Sequence, residues 1–120
     1  MCKLVQYQNF GYIADIKLPH VKNITELAAK TRNISKIVLF GSSIEDRCTA
    51  NSDIDIAVFG ELSKGRYIDS TEFRTFKNGL FRFDRDQDYD VLYFKENSKH
   101  NDAIMFDINK GVEIYRRAAD

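Results

Sequence analysis

The chain has 120 residues, enough for one domain with a modest core, and at 43% hydrophobic and 30% charged residues it reads as globular rather than disordered. Eighteen Lys and Arg balance 18 Asp and Glu, which argues against dedicated binding to nucleic acid or to an anionic membrane. Apolar runs are only a few residues long, too short to span a bilayer. The start of the chain carries no signal-peptide core, and two cysteines, Cys2 and Cys48, suit free thiols in a reducing cytoplasm better than a disulfide framework.

The first 18 residues are apolar enough to pack but mixed in period, so they are read as an arm with no assigned structure. The single proline, Pro19, divides the arm (residues 1–20) from the main domain (residues 21–120). A helix is expected from about Ile24 to Arg32, capped by Asn23 with Glu26 completing a capping box. Ile24, Leu27, Ala28 and Thr31 line one face of it. Ile37–Phe40 reads as a short buried strand, broken by Gly41-Ser42-Ser43. Asp53–Phe59 is a second strand, ended by Gly60. Asp69 and Glu72 suit the start of a helix over 70–78 that stops at Gly79, with Phe73 and Phe76 inward; Phe81 and Phe83 also read as core. Tyr89–Phe94 is a third strand. A last helix is expected over 99–110, ended by Gly111, and Val112–Tyr115 forms a short final strand. This order points to an α/β (α+β) fold, a small mixed sheet flanked by helices.

The chemistry concentrates in Gly41-Ser42, ten intervening residues, and Asp53-Ile54-Asp55. Strand side chains alternate, so Asp53 and Asp55 share a face while Ile54, Ile56 and Val58 take the other. Two like charges on one strand edge are costly unless a cation offsets them, and hard oxygen ligands suit Mg²⁺, with Mn²⁺ as the substitute. Two ions held by shared carboxylates can stabilise both the attacking and the leaving oxygen of a phosphoryl displacement. Gly41 allows close approach of the backbone to a ligand, and Ser42 and Ser43 offer hydroxyls and N–H groups. A helical turn over 43–48 would add an N-terminal anion site. Asp90, opening the third strand, is the candidate third carboxylate, as a metal ligand or a proton acceptor, with Asp88 as the alternative.

With these residues in place the chain resembles the polymerase-beta-type nucleotidyltransferases, and most of all their minimal branch, over roughly residues 24–115. The resemblance implies that Gly41 and Ser42 hold a triphosphate and that Asp53, Asp55 and Asp90 hold the metals. It implies transfer of a nucleoside monophosphate, AMP from ATP or another nucleotide, to a hydroxyl. Many such small proteins are antitoxins that attach AMP to a tyrosine of a HEPN-type toxin. Larger relatives modify aminoglycosides, usually with an additional helical domain. Where the family often has a small residue and Arg-Gly after the Gly-Ser pair, this chain has Ile44-Glu45-Asp46, with Arg47 late. Acidic groups there oppose a triphosphate, and Arg47 is the compensating candidate. Two alternatives therefore stand beside the enzyme: an inactive partner-binding antitoxin, and an antibiotic-modifying enzyme acting as a homodimer.

Other patterns carry less. The run Asp84–Asp90 imitates a calcium loop but has Tyr89 and Lys95 where Gly and Glu are needed, so that reading is rejected. Lys64, Arg66, Arg74, Lys77, Arg82 and Arg85 read as a solvated face.

Overall fold

The computed structural model describes residues 2–8, 11–96 and 103–118. The strands are β1 (Leu4–Tyr7), β2 (Gly11–Ala14), β3 (Ile34–Phe40), β4 (Ile54–Gly60), β5 (Tyr89–Lys95) and β6 (Val112–Arg116). The helices are α1 (Leu18–Ala29), α2 (Lys64–Ile68), α3 (Thr71–Phe83) and α4 (Ala103–Asn109). Single 3₁₀ turns cover Asp15–Lys17 and Gly41–Ile44. The main sheet runs β5-β4-β3-β6, with β4 and β5 parallel and the other pairs antiparallel. This is the small mixed sheet with flanking helices that the sequence implies.

Alternation along the central strands divides the core in two. Ile37 and Leu39 of β3 and Ile54, Ile56 and Val58 of β4 pack with Val21, Ile24 and Ala28 of α1 and Phe76 and Leu80 of α3. Val38, Phe40 and Ala57 point the other way, toward Ile108 of α4. Each fully buried Ile or Val contributes about 1.5–3 kcal/mol relative to exposure, so this alternation fixes the register of β3 on β4. Reversing it would place Asp55 in the larger core.

Several sequence expectations are corrected. The arm forms a hairpin, β1 on β2, whose Tyr7 and Ile13 join the larger core. Its turn period is hidden because each strand is only four residues long. The first helix begins at Leu18 rather than Ile24, and residues 18–20 belong to it. Pro19 sits in its first turn, where a missing N–H costs nothing, so it starts the helix rather than dividing the chain. Asn23 is therefore interior and donates to the Gly79 carbonyl at 3.5 Å instead of capping. Thr31 lies past the helix end, buried, with its hydroxyl donating to the Leu27 carbonyl at 2.7 Å.

On α3 the cap is Ser70, whose side chain accepts from the Phe73 N–H, not Asp69. The helix passes through Gly79 because α1 lies against it: a Cβ there would meet Leu27 Cδ1 at 2.7 Å. Phe76 is buried, but Phe81 and Phe83 are 60% and 47% exposed: Phe81 falls off the face set by Phe73, Phe76 and Leu80, whereas Phe83 continues that face at the last residue of the helix, where its ring meets His20 edge-on. The short helix α2, with its buried Tyr67, has no counterpart in the sequence reading. Of the helix expected over 99–110, residues 99–102 lie outside the described residues, and α4 covers the rest to Asn109. The six basic residues of the 64–85 segment are all exposed. No helix among the described residues is long and apolar enough to cross a membrane.

Candidate active site

The site is built where β3 ends and β4 and β5 begin. β3 runs out at Phe40, and Gly41 turns the chain with φ of +72°, a conformation that L side chains rarely adopt. A Cβ at Gly41 would overlap Asp55 Oδ2 and lie 3.3 Å from its Cγ. Glycine is therefore required twice over, by the backbone and by the carboxylate that leans against it. This contact joins the two halves of the sequence motif: Phe40 pairs with Asp55 across the antiparallel β3–β4 ladder.

Asp55 pairs in turn with Asp90 in the parallel β4–β5 ladder, so both side chains emerge on the same face, the one that α4 covers. Asp53 stands just before β4, exposed, as is Asp90, while Asp55 is half-buried. Burial first, then the charges of Asp90 and Asp53, push the Asp55 carboxyl above its ordinary value. The third carboxylate is thus placed beside the first two in electrostatic reach. Asp88 is exposed and its carbonyl accepts from the Ile54 N–H at 3.0 Å, which ties the two strand starts together.

A cleft of about 380 Å³ opens over Asp55 and Asp90, while Asp53, Asp88 and Ser42 are not among its lining residues. Gly41, Asp55 and Asp90 form its floor, Ile44, Glu45 and Arg47 one rim, and Ile104, Asp107 and Lys110 from the α4 side the other. Lys110 and Asp107 were not legible as site residues, because nothing in their own segment shows which face of the sheet α4 covers. Lys110 places its ammonium 4.1 Å from the Phe106 ring centroid.

Ser42 is half-buried with its Oγ donating to the Asp53 carbonyl at 3.5 Å. Ser43 is wholly buried, and its hydroxyl has no hydrogen-bond partner among the described residues. The expected helical turn over 43–48 is corrected. The turn is 3₁₀, spans Gly41–Ile44, and ends because Glu45 is extended at φ −123°, ψ 152°. Any anion contact there comes from turn N–H groups, not from an α-helix terminus. Arg47 is bound by Glu45 in an exposed ion pair, so the one arginine near the turn is already partly neutralised. Cys2 of the arm donates its thiol to the Glu45 and Asp46 carbonyls at 3.3 and 3.4 Å, fastening this loop from behind.

The donor set suits a hard divalent cation. It consists of carboxylate oxygens on one face, mutually repelling, beside a glycine that keeps the space open. Among the described residues, no three acidic, His or Cys groups already converge to ligand spacing. A second depression, of about 310 Å³, lies at the far end of the sheet near Lys36 and Lys95. There Arg116 is paired with Glu113 and Arg117 is spent on the carbonyls of Ile34, Ala28 and Thr31.

Beneath the carboxylates lies a group that sequence reasoning missed. Lys17 is 1% exposed, and its ammonium donates to the Ser52 carbonyl at 2.8 Å, Gln87 Oε1 at 2.7 Å and the Ala50 carbonyl at 3.3 Å. A lysine at a hairpin–helix junction has no pattern that would single it out.

No curated protein matches the chain. Among solved structures it resembles one from Sulfolobus solfataricus, provisionally described as a nucleotidyltransferase, at 19% identity and a TM-score of 0.48 over 84% of each chain. The profile of the "Polymerase beta, Nucleotidyltransferase" family matches residues 22–120, which contain every residue of the cleft, and the chain belongs to that family.

Proposed function

We propose that the protein is a Mg²⁺-dependent nucleotidyltransferase that moves AMP from ATP to a hydroxyl of a protein acceptor. The observation that carries this is the single face shared by Asp55 and Asp90, with Gly41 shaped around the Asp55 carboxylate at the floor of the cleft. Asp53, Asp55 and Asp90 would hold Mg²⁺, or Mn²⁺ in its place, two ions in all. When bound, the ions supply charge neutralisation for the phosphates. Gly41 and Ser42 leave room and N–H groups for the triphosphate, and Lys110 faces the same space. Ser43 would contribute through its backbone, since its side chain is buried. The acceptor oxygen bonds to the α-phosphorus, the bond to the bridging oxygen breaks, and pyrophosphate leaves. Asp90, exposed at the mouth, would accept the hydroxyl proton. Positioning and neutralisation account for most of the acceleration. The acceptor that the family resemblance favours is a tyrosine of a HEPN-type toxin.

One observation favours a second reading, an inactive partner-binding module. Glu45 lines the cleft and holds Arg47, so acidic groups outnumber free cations around a site meant for a triphosphate. Incubation with α-³²P-labelled ATP, Mg²⁺ and a co-expressed HEPN-type partner separates the two. Label on the partner, lost in Asp55→Asn, supports the enzyme. A stable complex without label supports the module.

A further inference from the structure

The buried ammonium of Lys17 donates its hydrogen bonds only to neutral oxygens, with the Asp84 carboxylate in electrostatic reach but not bonded to it. Taking a charge out of water against such partners is costly, and an apolar side chain of similar length would avoid that cost. Its three N–H groups are nonetheless matched by three acceptors, at 2.7, 2.8 and 3.3 Å. Two of these, Ala50 and Ser52, belong to the loop that delivers Asp53 and Asp55. The third is Gln87, buried, from the loop that delivers Asp88 and Asp90.

Gln87 extends the clamp. With its oxygen turned to Lys17, its amide nitrogen donates to the Ser52 carbonyl at 3.0 Å and the Asp88 carbonyl at 2.8 Å. The Asp88 carbonyl also takes the Ile54 N–H at 3.0 Å. Lys17 and Gln87 thus bind the residue before Asp53 to the residue two before Asp90 by direct hydrogen bonds. Neither side chain lines the cleft.

We propose that Lys17 is a positioning residue, which acts through Gln87 and the Ser52 and Asp88 carbonyls to fix the separation of Asp53 and Asp55 from Asp90. This rests on the nucleotidyltransferase reading, in which those three carboxylates receive the metal. Fixed spacing matters because a divalent ion demands defined oxygen positions, and groups that orient ligands typically change metal affinity by about 10–100-fold. A clamp of this kind serves the bound state more than the stability of the fold.

The test is Mn²⁺ binding to the full chain, followed by electron paramagnetic resonance, for the native protein, Lys17→Met, Gln87→Met and the double variant. Each is measured well below its own melting temperature, with Asp55→Asn as the reference for a lost site. The expected result is about 10-fold weaker binding in each single variant, with the double variant no weaker than the poorer single one, because both act through one clamp. Should Lys17→Met fail to fold, Gln87→Met carries the same comparison. Variants that melt earlier but bind Mn²⁺ with native affinity would reduce Lys17 to a structural role and overturn the proposal while leaving the site intact. Native protein that binds no better than Asp55→Asn would instead overturn the metal site, and this inference with it.

Discussion

Replacing Gly41 by alanine tests whether the turn and the carboxylate are one device. The backbone there has φ of +72°, and holding a non-glycine residue in that region costs about 1–2 kcal/mol. The new methyl would also overlap Asp55 Oδ2, and driving that side chain off its rotamer adds about 0.5–1.5 kcal/mol. Together these give a loss of about 2–3 kcal/mol, or about 8–12 °C in Tm for a domain of this size. The two parts can be separated. The Asp55 Cβ lies 3.6 Å from the built methyl, an ordinary contact, so in an Asp55→Ala background only the backbone cost should remain. Thermal melts of the four members of this cycle should show Gly41→Ala costing more with Asp55 present than without it. Gly65→Ala is the control, because a Cβ there meets nothing within 4 Å and its helical setting favours alanine. An equal cost of Gly41→Ala in both backgrounds would refute the contact. Native Tm in the single variant would refute the turn as well.

Three further outcomes follow from the packing and the charges. The Asp55 carboxyl is raised by burial and by Asp90 and Asp53, so its ionised form opposes folding, and stability should fall as pH rises from about 4 through the raised value. Melts without metal should therefore show Asp55→Asn more stable than native at pH 7, with the difference vanishing near pH 4; adding Mg²⁺ should raise Tm only in the native chain. Tyr67 is fully buried, stacks on Tyr93 with centroids 3.8 Å apart, and has a hydroxyl with no partner among the described residues. Tyr67→Phe should be neutral or stabilising in denaturant unfolding, and a loss above about 1 kcal/mol would reveal a missing partner. Gly79→Ala should destabilise, measured the same way, although helix propensity alone predicts a gain of about 1 kcal/mol, because the methyl would strike Leu27 across the α1–α3 contact.

What could be read from the sequence was whatever depends on period and spacing. Alternation placed Asp53 and Asp55 opposite Ile54 and Ile56, and the apolar run behind Asp90 marked a strand that parallel pairing sets beside Asp55. Features set by tertiary contact were not readable. The capping pattern at Asn23 is real locally but is overridden by Pro19, two residues past Lys17, where α1 starts after the hairpin. Gly79 reads as a stop because propensity cannot register that α1 packs onto it. Phe81 reads as core because hydrophobicity alone does not say which face of α3 meets the sheet, and Phe83 because its place on that face does not show that the helix ends there. Lys17 and Gln87 are invisible for the same reason. Their hydrogen bond links residues 70 positions apart, and neither belongs to a motif.

The central claim is that the cleft over Asp55 and Asp90, with Asp53 in electrostatic reach of it, binds a metal–nucleotide complex. Calorimetric titration of ATP with Mg²⁺ tests it most directly, on the native chain and on Asp53→Asn with Asp55→Asn, both confirmed folded. Saturable binding to the native chain that disappears in the double variant is the predicted result. Equal binding by both, or by neither, would contradict the claim.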